Sequence, residues 1–143
     1  MTRVTYNHRV PDVYRVYRPW FYAAAIYNAL WGAFVVLFPS AMFAWIGMAA
    51  PEPIAMFQVV GMMVGVYSIG YYLLAKDPKR YCGFIWVGLA GKMLGPIGLL
   101  WAVTRGELPW AFGWINVGND LIWLPVFWLF ALKFARHPLR TDD

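Results

Sequence analysis

The sequence predicts an all-α membrane protein, a polytopic four-helix bundle preceded by a short amphipathic helix at the membrane surface. Three observations carry this. The 143 residues are 62% hydrophobic and only 13% charged, with mean hydropathy +0.53, whereas a soluble domain is about half apolar and a quarter charged. Four apolar stretches, near 20–38, 54–75, 83–103 and 111–132, each reach the roughly 20 residues that a bilayer crossing demands. The joints between them are short and rich in Pro, Gly or charge. The chain therefore divides into an N-terminal segment (1–19), a transmembrane domain (20–132) and a tail (133–143), with no separate soluble module.

The first nineteen residues hold Arg3, Arg9, Arg15 and Arg18. The span that follows is longer than the apolar core of a cleavable signal, so it is expected to stay as an uncleaved anchor. Within this segment Val10, Val13, Tyr14 and Tyr17 recur at helical spacing, opposite Arg15 and Arg18, and Pro11 suits a first helical turn. A helix lying on the inner surface fits that pattern; docking onto a partner subunit is the competing reading.

After the first span, Pro39 stops the helix and Ser40 is placed to cap a short second one carrying Met42, Phe43, Trp45 and Ile46. KDPKR (76–80) and RGELP (105–109) read as tight turns at opposite ends of the bundle. Trp20, Trp45, Trp101 and Trp110 fall near the expected interfaces, as an aromatic belt does. Gly61-x-x-x-Gly65 and Gly91-x-x-x-Gly95 set small residues one turn apart, which permits close helix packing within or between chains.

Charge gives the topology. Four crossings put Arg3, Arg9, Arg15, Arg18, Lys76, Lys79, Arg80, Lys133, Arg136 and Arg140 on one side, and only Glu52, Arg105 and Glu107 on the other. Basic residues stay in the cytoplasm, so both termini are expected there. The net charge of +5 then reflects orientation and attraction to anionic lipid; a nucleic-acid partner would need a folded basic face that this chain lacks.

Two formally charged residues lie inside the spans, Lys92 in the third and Asp120 in the fourth. At 1.5 Å per residue, Lys92 lies about 14 Å from its end of the bundle and Asp120 about 18 Å from the same end. They share a level near the bilayer centre on helices expected to be antiparallel neighbours. Asn116 and Asn119 accompany Asp120, Asn28 sits midway along the first span, and Tyr67 and Ser68 lie at similar depth in the second. Asn116, Asp120 and Trp123 share a helix face, and Pro96 removes the amide that would serve the Lys92 carbonyl. Lone charges at this depth cost roughly 2.5–3.5 kcal/mol each and commonly mark a site. The cluster is read either as a polar lock between two helices or as a pocket for a lipophilic molecule, with a proton path as a third option.

Other chemistry is excluded. His8 and His137 lie in the tails, so no histidine can ligate a metal or haem within the spans. Cys82 is alone, which leaves no internal disulfide. GKMLGP lacks phosphate-loop spacing. No cofactor or metal is expected.

The stretches GLAGKMLGPIG (88–98) and WINVGNDLIWLPVF (114–127) resemble a pattern in small bacterial four-span membrane proteins, and in size and span count the chain is similar to DoxX-like proteins. The resemblance implies a bacterial membrane location. Peroxide reduction, an activity attached to some such proteins, would need paired cysteines. The role expected is a non-catalytic accessory or scaffold subunit of a larger membrane assembly, an energy-transducing one among the candidates, with lipids and other subunits or further copies of itself as partners. The alternative is a small membrane enzyme or carrier that binds a quinone or lipid at the Lys92, Asp120, Asn119, Asn116 and Asn28 cluster.

Overall fold

Long apolar runs between prolines, glycines and charged turns leave the backbone one way to satisfy its amides in a bilayer, by helix. The computed structural model describes residues 12–135, and among them there are helices and turns but no strand. Three spans are continuous helices: α1 (Arg18–Leu37), α3 (Ala55–Lys76) and α4 (Phe84–Thr104). A five-residue helix, α2 (Ala41–Trp45), follows α1. The fourth span runs from Trp110 to Ala135 in pieces. These are a 3-10 turn (Trp110–Phe112), α5 (Gly113–Asn116), a π turn (Val117–Leu121), α6 (Leu124–Phe130) and a second π turn (Ala131–Ala135). All four segments are long and apolar enough to cross a membrane, and their alternating direction makes this a multi-pass membrane bundle.

The spans pack in chain order around a core of buried aromatic and aliphatic side chains. Helix α1 runs along α3, α3 along α4, and α4 along the fourth span. The ring closes where Phe21 of α1 packs edge-on to Phe130 (4.8 Å) and beside Phe127 (5.7 Å), and Tyr27 meets Trp123. Such aromatic pairs add about 0.5–1.5 kcal/mol each beyond area burial.

The α1–α3 contact depends on an absent side chain. A Cβ on Gly32 would stand 2.6 Å from the Gly61 carbonyl oxygen and 2.9 Å from the Gly65 Cα. Three of the four motif glycines face a neighbour within the chain, Gly61 against Val35 of α1, Gly91 against the Tyr67 ring and Gly95 against Asp120, whereas a Cβ on Gly65 would meet nothing within 4 Å. At the end where α1 begins and α3 stops, Arg18 Nε donates to the Ala75 carbonyl (2.7 Å), supplying a donor at the C-terminal turn of α3. At the opposite end Gln58 Nε2 donates to the Val36 carbonyl (2.9 Å).

Two local expectations are corrected. The N-terminal amphipathic element is, over its described part, a single 3-10 turn (Asp12–Tyr14) joined to α1 by a further turn at 15–17; Val10 and Pro11 lie outside the described residues. Val13 is exposed, while Tyr14 is buried against Phe134 and Phe130. The aromatic groove between α1 and the last turn of the fourth span draws Tyr14 inward, so it packs on the bundle. Burial, with Cys82 and Asp77 nearby, lifts the Tyr14 phenol above its ordinary pKa. Ser40 precedes α2 but makes no side-chain cap; buried Met42 and Phe43 hold that helix against the bundle, with Phe43 edge-on to Phe57 (4.7 Å).

Candidate functional site: a buried ion pair between two cavities

Lys92 and Asp120 reach one level from helices of opposite direction, and their charged ends are 3.5 Å apart with each side chain 5% exposed. The Lys92 ammonium also donates to the backbone carbonyl of Asn119. Around the carboxylate, Asn116 Nδ2 donates to Oδ2 (2.8 Å) and Asn119 Nδ2 to Oδ1 (3.0 Å). Charge-assisted bonds of this kind are about twice as strong as neutral ones, and a buried pair is tolerable only where such bonds satisfy its remaining lone pairs and protons.

The irregular backbone of the fourth span makes the arrangement possible. The Ile122 amide bonds back to Val117, five residues away, and the Trp123 amide to Asp120, three away. In an α-helix those two amides would serve the carbonyls of Gly118 and Asn119. Both carbonyls are released, and both are taken by side chains: Lys92 bonds Asn119, and Trp123 Nε1 donates to Gly118 (3.2 Å). Pro125 contributes by lacking the amide that Leu121 would use. Single π turns of this type are frequent at functional sites.

On α4 the counterpart is glycine. A Cβ at Gly95 would collide with Asp120 Oδ2 and come within 3.1 Å of Asn116 Nδ2. The bare backbone is what lets the carboxylate and its asparagine lie against α4 beside Lys92.

Asn28 is corrected. It is buried at cluster depth, but its Nδ2 donates to the Ala24 carbonyl of its own helix (2.7 Å), not to the ion pair, because that i−4 acceptor is always within reach of an inward-facing asparagine. It joins the site as part of a cavity wall. That cavity, about 260 Å³, is lined by Asn28, Tyr67, Tyr71, Lys92, Asn119 and Asp120 together with apolar residues of α3. Ser68 is not part of the lining. A second cavity of about 320 Å³ lies beyond Asp120 towards α2 and the 105–112 turn, and shares the wall formed by Val60, Val64, Gly91, Asn119 and Asp120.

Two of the lining residues carry a buried polar atom with no partner, the Tyr71 hydroxyl and Asn119 Oδ1. An unsatisfied buried group costs about 1–3 kcal/mol, which a protein rarely carries without use. Tyr71 is the residue that sequence reasoning missed. Its signal was present: Tyr67 and Tyr71 are one turn apart on α3, facing Gly91 and Gly88 of α4. Among the described residues no group of His, Cys, Asp or Glu is arranged to hold a metal ion. No known protein family, curated protein or solved structure matches this chain.

Proposed function

We propose that this is a membrane-embedded binding protein or carrier that takes the polar head of a lipophilic molecule, of the quinone or lipid class, at the Lys92–Asp120–Asn119 cluster. One observation carries the reading: a cavity at the depth of the buried pair, lined by Lys92 and Asp120 and by Tyr71 and Asn119, each of which carries a buried polar atom without a partner (the Tyr71 hydroxyl and Asn119 Oδ1). A polar lock between helices needs neither the space nor the orphaned groups. Lys92 and Asp120 are spent on each other at 3.5 Å, and the role assigned to the site is binding. The excess of basic residues at the end carrying the termini supports an inner-membrane orientation with both termini cytoplasmic.

The test uses Tyr71→Phe. Removing a hydroxyl that has no partner should leave unfolding of the detergent-solubilised protein unchanged or shifted slightly towards stability. Affinity for a short-chain quinone probe, read by quenching of tryptophan fluorescence, should fall about 3- to 10-fold, the worth of one hydrogen bond. Unchanged affinity alongside unchanged stability would refute a head-group role for this cavity.

The accessory-subunit reading has one observation of its own. The described joints are turns and a five-residue helix, so the described chain presents little beyond spans to a partner. On blue-native electrophoresis a subunit should migrate within a larger assembly, and recovery only as a 16.4 kDa monomer would count against that role.

A further inference from the structure

Resting on the binding role proposed above, we infer that the two cavities form one site for an uncharged amphiphile with a linear hydrocarbon tail: the head sits beside Lys92, Tyr71 and Asn119, and the tail lies in the second cavity over Gly98. The charge state of the head follows from the cluster itself. Lys92 and Asp120 neutralise each other at 3.5 Å, so an anionic head would meet the Asp120 carboxylate and a cationic one the Lys92 ammonium. The unspent groups are a hydroxyl and an amide oxygen, which match a hydroxyl or carbonyl head, not a phosphate or carboxylate.

The tail follows from the second cavity. Its far wall is apolar, with Trp31, Met42, Phe57, Leu99, Phe112 and Ile115, and it adjoins the polar cavity across Asn119 and Asp120. Each cavity alone is near the lower limit of the roughly 300–1,000 Å³ typical of small-molecule sites; joined, they fall within it. Gly91, Gly95 and Gly98 line one face of α4 along this cavity, at the spacing that stacks side chains. Gly95 is explained by Asp120 and Gly91 by Tyr67, but a Cβ on Gly98 would meet nothing within 4 Å. A helix-interior glycine costs about 1 kcal/mol relative to alanine, and no neighbour here requires one. Gly98 is exposed on α4, and its missing side chain leaves the space above it open.

The experiment uses the full chain in nanodiscs and two photoreactive long-chain primary alkanols, one with a diazirine beside the hydroxyl and one with it near the methyl end. Labelled positions are mapped by peptide mass spectrometry, with and without excess unlabelled alkanol. The head probe should label the Met63–Tyr71 stretch and the tail probe the region of Leu99 or Phe112–Ile115, both competitively. Gly98→Leu, which has room to fold, should cut tail labelling about tenfold while head labelling persists. Competitive head labelling with tail labelling unaffected by Gly98→Leu would overturn the tail assignment and leave the binding role standing. Absence of competitive labelling in either cavity would remove both. Stronger competition by a fatty acid of equal length than by the alkanol would overturn the uncharged head.

Discussion

Lys92→Met should be among the most damaging single substitutions in the chain, lowering unfolding free energy in detergent by about 3–5 kcal/mol. The lost Coulomb attraction is the smaller part. Without the ammonium, the Asp120 carboxylate stays among Gly95, Asn116 and Asn119 with no counter-charge, and the Asn119 carbonyl, already released from the helix by the π turn, loses its donor. Each becomes an uncompensated buried group. Lys92→Leu combined with Asp120→Leu should be less harmful than Lys92→Met alone, since apolar residues in place of a buried pair are often neutral. It should not reach wild type: the Asn116 and Asn119 amides would lose their acceptor, leaving a deficit of roughly 1–3 kcal/mol. Equilibrium unfolding in mixed micelles measures all three proteins. Quinone-probe binding separates the roles of the cluster, because a pure lock predicts that the double variant, whatever its residual deficit in stability, handles the probe as wild type does. A binding site predicts that it folds and no longer binds.

The pair was legible in the sequence because helical rise is constant. Counting residues from each joint is enough to place Lys92 and Asp120 at one depth, and neighbouring spans with a short joint leave them little choice of partner. Glycine spacing at Gly61 announced close packing, but not that its partner would be α1. What counting could not supply was the backbone irregularity. The step from a five-residue to a three-residue hydrogen bond at Ile122 and Trp123 depends on whether side chains are present to take the freed carbonyls, which is a tertiary fact. Pro125 and the weak helix formers Gly118 and Asn119 only hint at it. Tyr71 was missed, and the partner of Asn28 left open, by the same limit. Depth says which residues are level with the pair, but whether a polar side chain bonds its own helix, as Asn28 does, or is left buried without a partner, as the Tyr71 hydroxyl is, is decided by rotation about the helix axis and by which neighbour lacks a side chain.

The glycine motif sharpens the same point into a second large effect. Read from spacing, Gly61 and Gly65 are equivalent; in the bundle they are not. Gly65→Ala should be neutral or slightly stabilising, since a Cβ there meets nothing within 4 Å and alanine is the better helix former. Gly61→Ala should cost about 1–3 kcal/mol, because its Cβ would stand 2.8 Å from Val35, a buried side chain with one preferred rotamer in a helix. Gly32, outside the motif, should be the least tolerant: its Cβ meets backbone of both Gly61 and Gly65, and backbone cannot rotate away. Gly32→Leu must part α1 from α3, with an expected loss at or above the upper end of that 1–3 kcal/mol overpacking range, measurable by thermal unfolding in detergent. Because Asn28 of α1 and Tyr67 of α3 stand on walls of the same cavity, the parting should also weaken probe binding, whereas Gly65→Ala leaves it unchanged. A Gly65→Ala variant as damaged as Gly32→Leu would mean that the motif works between chains instead, with Gly65 facing a second copy.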